Sequence, residues 1–177
     1  QLQLIKDDFR NFLYLAWKHL ALPDPTPIQY DIADYLQNGP KRLIIQAFRG
    51  VGKSWITSAF VVWKLLCDPQ LKFLVVSASK PILQHLRARE DQRSSNVAFD
   101  VAPSRASHAP SVKSVGITGQ IVGSRAHIIV ADDVEVLSNA LTQVMRDKLG
   151  EVVKEFDAVV MPKVGRIVYL GTPQVEE

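Results

Sequence analysis

The sequence predicts an α/β fold, a mostly parallel sheet flanked by helices. Short apolar runs at 42–47, 72–77, 128–131 and 166–170 have the length and composition of buried strands. Stretches with apolar residues at helical spacing lie between them. A glycine-bearing loop joins the first run directly to one of those helices. Strands apolar throughout, alternating with helices, imply parallel pairing with both faces covered.

The 177 residues fit a single domain, 1–177. Apolar residues make up 47% and charged residues 22%, enough for a packed core and too apolar for a disordered chain. No apolar run approaches the roughly 20 residues of a spanning helix, and Gln1 to Arg10 lack the apolar stretch of a signal peptide. The lone cysteine, Cys67, excludes an internal disulfide framework or a cysteine zinc cluster. It is expected as inert core, with a reducing cytoplasm as the default compartment. A net charge of +3 permits nucleic-acid binding without demonstrating it.

In chain order, 3–21 reads as an amphipathic helix carrying Leu4, Ile5, Phe9, Phe12, Leu13, Ala16 and Leu20. Leu22 to Pro27 is a rigid, proline-rich turn. A helix follows from Ile28 to Gln37, ended by Asn38-Gly39-Pro40. After the first strand and its loop, a helix runs through Leu66 to Asp68-Pro69. Residues 81–90 suit a helix. Val97–Val101 and Val112–Thr118 are weaker strand candidates. The strongest helical pattern is 138–160, with Leu141, Val144, Met145, Leu149, Val152, Val153 and Phe156 on one face.

The loop after the first strand reads Ala47-Phe48-Arg49-Gly50-Val51-Gly52-Lys53-Ser54. It matches G-x-x-x-x-G-K-[ST] except that Ala47 replaces the first glycine. Gly50 and Gly52 permit positive φ, so successive N–H groups can turn inward on phosphates. A helix beginning near Lys53 adds its dipole. Lys53 would neutralise the β and γ oxygens of ATP, and the Ser54 hydroxyl would ligate Mg²⁺. Arg49 can stabilise transition-state charge in cis, or it can be a surface arginine paired with an acid.

Ile128-Ile129-Val130-Ala131 leads into Asp132-Asp133-Val134-Glu135. Acids at the C-terminal edge of a buried strand lie where α/β sheets bind ligands. Asp132 suits the metal. The base that activates water is Asp133, which is adjacent, or Glu135, which has the longer reach; the residues do not choose between them. Gln29, after Pro25-Thr26-Pro27-Ile28, can read an adenine edge, with Phe12 or Trp17 stacking nearby. The same segment equally suits a turn with Thr26 as a helix cap and Gln29 exposed. Thr172, after the last strand, is placed to sense the γ-phosphate. Arg87, Arg89 and Arg93, with acids interspersed, read as solvated charge; Arg105 is a further basic residue. Arg125 is open between DNA contact, a finger in trans and a surface ion pair.

These residues resemble a known family, the large terminase subunit that drives DNA packaging in tailed phages, and look like its short-tailed branch. The resemblance rests on Gln46 to Ser54, Phe73 to Lys80, Ser111 to Gln120, Ile129 to Glu135 and Tyr169 to Gln174. It implies a P-loop NTPase of the additional-strand (ASCE) type that hydrolyses ATP with Mg²⁺. Arg49 matches the family's loop arginine, Asp132 its metal acid, Thr172 its coupling motif and Gln29 its adenine motif. Asp133 stands where the family usually has Glu. Implied partners are double-stranded DNA, the portal protein, the small terminase subunit and further copies in a ring on the portal, with no membrane, in the host cytoplasm. The family continues into a nuclease domain, so cleavage is not expected of a chain ending at Glu177. Its segment after Lys80 is longer, which implies residues missing between Lys80 and Pro81. Two other readings remain beside the motor: a helicase-like remodelling ATPase, and a nucleotide-binding assembly module with little turnover. The acid box is not Asp-Glu-Ala-Asp and no second helicase lobe is visible, which weighs against the former.

Overall fold

A computed structural model describes residues 2–77, 92–95, 97–117, 119, 121, 123–134 and 142–172. The expected helix at 81–90, the suspected gap after Lys80, and Arg87, Arg89 and Glu135 lie outside the described residues.

The sheet has six strands: β1 (Arg42–Gln46), β2 (Phe73–Ser77), β3 (Ala98–Phe99), β4 (Val112–Gly116), β5 (Ile128–Asp132) and β6 (Arg166–Gly171). Their order is β1-β6-β5-β2-β4-β3, parallel throughout except for the short β3 on β4. The mostly parallel α/β expectation holds. β6, last in sequence, is inserted between β1 and β5. The register pairs Gln46 with Gly171, Leu170 with Asp132, and Asp132 with Ser77. The C-terminal ends of four strands therefore share one edge.

Helices α1 (Leu2–Asp7), α2 (Phe9–His19), α3 (Pro27–Asn38) and α4 (Lys53–Cys67) belong to one face. There Phe9, Leu13, Phe60 and Trp63 pack over Leu43, Ile45, Val130 and Val168. Phe9 meets Phe60 edge-on at 5.4 Å and Trp63 at 5.2 Å. Burying such rings removes apolar area from water at about 25 cal/mol per Å², the main force holding this layer on the sheet. The opposite face carries α5 (Gln143–Val159), whose Phe156 and Val159 pack over Ile129, Ala131 and Ile167.

Some expectations need correction. The single helix at 3–21 is two helices, because Asp8 adopts extended backbone and caps α2, accepting from Arg10 N. Gln37 closes the break, accepting from Phe9 N and donating to Asp7 O. Cys67 is exposed rather than core: it is the final residue of α4, and its thiol donates to Lys6 O of α1 rather than packing on the sheet. Of the face expected on α5, Leu141 lies outside the described residues, Val144 and Met145 are exposed, and Leu149, Val152, Val153 and Phe156 pack.

Arg166 joins the sheet to α3. Its guanidinium donates to Leu36 O at 2.5 Å, Gly39 O at 3.1 Å and Pro40 O at 3.2 Å, covering the open carbonyls of the helix C-terminus. Arg166→Ala is expected to destabilise the chain by about 2–3 kcal/mol, because partly buried carbonyls lose their donor. A urea melt measures it. A loss below about 0.5 kcal/mol would place Arg166 with ordinary surface charges.

Candidate functional site

The loop from Ala47 to Gly52 leaves β1 at the shared edge and enters α4. Gly50 has φ 97° and Gly52 φ 89°, both in the region that favours glycine. Gly52 is the N-cap of α4, so the first N–H groups of a 15-residue helix begin here. Val51 anchors the loop, with its side chain in the core.

Lys53, only 6% exposed, holds its ammonium under this loop. Nζ donates to Ala47 O at 2.7 Å and to Thr172 Oγ1 at 3.0 Å. Thr172 in turn donates to Asp133 Oδ1 at 3.2 Å. The pairing of β6 with both β1 and β5 brings these three groups together across long sequence separations. Asp133 has φ 43°, a left-handed conformation that Asp tolerates better than most residues, and its N–H donates to Leu170 O.

Asp132 ends β5. Ser54 lies beside its carboxylate, both lining one small cavity. Oδ1 is buried without a hydrogen-bond partner. Burial holds this carboxyl above its ordinary value; the nearby Ser54 hydroxyl opposes that, the Asp133 charge adds to it, and Lys53 opposes it again. Ser54, Thr57, Ser58 and Asp132 line a small cavity at this point. An unpartnered buried carboxylate oxygen beside a hydroxyl is an oxygen donor set suited to Mg²⁺. That ion asks for one or two protein oxygens when phosphates and water complete its shell.

The remaining candidates are spread around this centre. Arg49 is exposed on the loop. Gln29 lies on the first turn of α3 and touches the loop, donating to Val51 O at 2.9 Å, while its Oε1 accepts from Thr26 N in the manner of a capping box. The helix start at Thr26 is as the turn reading expects, but Gln29 is half-buried against the loop rather than exposed. Trp17 is buried in the helical layer and Phe12 stacks on Phe9. Arg125 lies just before β5, at the end away from Asp132, and donates to Ala158 O of α5. Sequence reading missed Ala47 O as a partner of Lys53, and Ser77, buried in register with Asp132. Ser77 ends an apolar run, a signal that could have found it.

A buried ammonium, a glycine loop and a helix N-terminus can hold an anion. The adjoining hydroxyl and carboxylates can hold a cation and take up a proton. The chain is of the α/β class with a ligand edge at the strand C-termini. No family model matches it. It is 52% identical, over 97% of its length, to the large terminase subunit of Enterobacteria phage T3, and spans about 33% of that relative. Over that stretch the chain belongs to the terminase large-subunit family.

Proposed function

We propose that this chain is an ATP-hydrolysing motor domain that powers the movement of double-stranded DNA into a procapsid. The observation that carries the reading is the continuous link Lys53–Thr172–Asp133 beside the unpartnered Asp132 Oδ1. It connects the loop, the acidic strand end and the last strand in one network. The insertion of β6 between the loop strand and the acidic strand supports a P-loop ATPase of the additional-strand type.

In this reading the N–H groups of Gly50, Val51 and Gly52 cradle the phosphates, and Lys53 leaves Ala47 O to neutralise the β and γ oxygens. Ser54 and Asp132 would hold Mg²⁺, which when bound would supply charge neutralisation for the transferring phosphoryl group. Arg49 adds positive charge from the exposed side. Asp133 or Glu135 orients a water and accepts its proton. The water oxygen bonds to the γ phosphorus as the β–γ bridging P–O bond breaks, leaving ADP and phosphate. Loss of the γ-phosphate frees Lys53 to return to Thr172, which reports the event to β6. Gln29 contributes to the adenine seat. Partners follow from the family: double-stranded DNA, a portal protein, a small terminase subunit and further copies in a ring, within the host cytoplasm. Arg125 is available to DNA or to a neighbouring copy. Among the described residues no helix is long and apolar enough to cross a membrane.

Single-turnover hydrolysis of ATP, with and without duplex DNA, tests the proposal. Mg²⁺-dependent turnover, stimulated by duplex DNA without strand separation, is expected. Strand separation would favour a helicase-like remodeller. Tight ATP binding with negligible turnover would favour an assembly module.

A further inference from the structure

Gln29 belongs to α3, yet its side chain reaches the crown of the glycine loop. Oε1 accepts from Thr26 N at 2.9 Å, which fixes the carboxamide plane. Nε2 donates to Val51 O at 2.9 Å. A Cβ on Gly52 would come within 3.4 Å of that nitrogen, so loop and side chain are in close contact. Val51 is flanked by two residues with positive φ, the most permissive points of the loop. Its side chain is 4% exposed, held by packing. Packing fixes where Val51 sits, but not which way its carbonyl turns.

The peptide between Val51 and Gly52 is planar and trans, so its C=O and N–H point in opposite directions. Holding the Val51 carbonyl toward Gln29 therefore aims the Gly52 N–H the other way, away from Gln29. We infer that Gln29 is a positioning residue of the phosphate loop, setting the direction of the Gly52 N–H through its hydrogen bond to Val51 O. This inference rests on the reading of the loop as a phosphate cradle. It deepens the adenine role rather than replacing it. After both contacts the carboxamide retains one N–H and one lone pair, the pair of groups that complements adenine N6 and N7. Base contact and loop shape then run through one side chain.

The inference predicts an effect on ligands that have no base. Inorganic tripolyphosphate, ATP and GTP are titrated with Mg²⁺ against the 177-residue chain. Trp55, 58% exposed and next to Ser54, serves as the fluorescent reporter above buried Trp17 and Trp63. Gln29→Met keeps the side-chain length and removes both hydrogen bonds. It is expected to weaken tripolyphosphate and GTP by roughly tenfold, which is the size of one lost hydrogen bond. ATP should weaken further, so that its preference over GTP falls, because the adenine contact is lost with the same side chain. Thr26→Ala leaves the Gln29–Val51 bond in place, because its backbone N–H still donates, and should leave tripolyphosphate affinity within about twofold, the scale of a modest cap loss. If Gln29→Met unfolds, Gln29→Glu keeps the arm to Thr26 N, removes the donor to Val51 O, and should likewise weaken tripolyphosphate. Unchanged tripolyphosphate affinity with a lost ATP preference makes Gln29 a base reader alone and overturns the inference. Equal losses in Thr26→Ala and Gln29→Met also overturn it, since helix capping would then explain both. A wild-type chain that binds none of the three ligands sinks the cradle reading and this inference with it.

Discussion

Lys53→Ala is expected to lower ATP hydrolysis by about 10³-fold or more, to the background of a clean preparation. The ammonium is buried under the loop, so solvent cannot replace it. Its two partners, Ala47 O and Thr172 Oγ1, are both polar atoms that a phosphate oxygen would displace. Charge lost here is lost where negative charge concentrates on the transferring group, and a low-dielectric setting makes each such contact stronger than in water. The fold should tolerate the change. Lys53 has no described ion pair with a carboxylate, and the Thr172–Asp133 hydrogen bond does not require it. Thermal melting checks the fold and phosphate release checks the chemistry. Retained turnover with an intact fold would overturn the loop assignment.

The strands were legible because burial on both faces leaves a plain mark: unbroken apolar runs such as Ile128 to Ala131. The sheet order was not. β1, β2, β5 and β6 all read as apolar runs, so nothing local says that β6 lies between β1 and β5 rather than at an edge. Local polarity also hid the break at Asp8. Helical periodicity runs across it, and the cap is set by a tertiary bridge from Gln37. Cys67 misled for the opposite reason: its apolar neighbour Leu65 is in the core, but Leu66 and Cys67 close the helix on its exposed side. At the site, residue types announced Lys53, Ser54 and Asp132. Their partners did not announce themselves. Ala47 O and Val51 O are backbone atoms whose role depends on chain path, which no side-chain pattern encodes.

The two acids at the end of β5 should respond to the same substitution in different ways. Asp132→Asn removes a charge that burial disfavours while keeping the shape of the side chain beside Ser54. The ligand-free chain is expected to melt higher, by roughly 2–4 °C for each kcal/mol gained at this size. Hydrolysis should fall by about 10²-fold or more, because a neutral amide is a poor Mg²⁺ ligand. Stability gained with activity lost marks a residue kept for chemistry rather than for the fold. Asp133→Asn should leave the melting point nearly unchanged. Asn adopts the left-handed conformation that φ 43° demands, and its Oδ1 can still accept from Thr172. Any loss of turnover in that variant therefore reports the proton-accepting role itself. Glu135→Gln provides the comparison. A large loss in one of these two and a small loss in the other identifies the base. Full turnover in both would remove the acidic strand end from the mechanism. A ligand-free Asp132→Asn chain that melts lower than wild type would show that the carboxylate holds the fold, and the orphaned oxygen would need an explanation other than a metal.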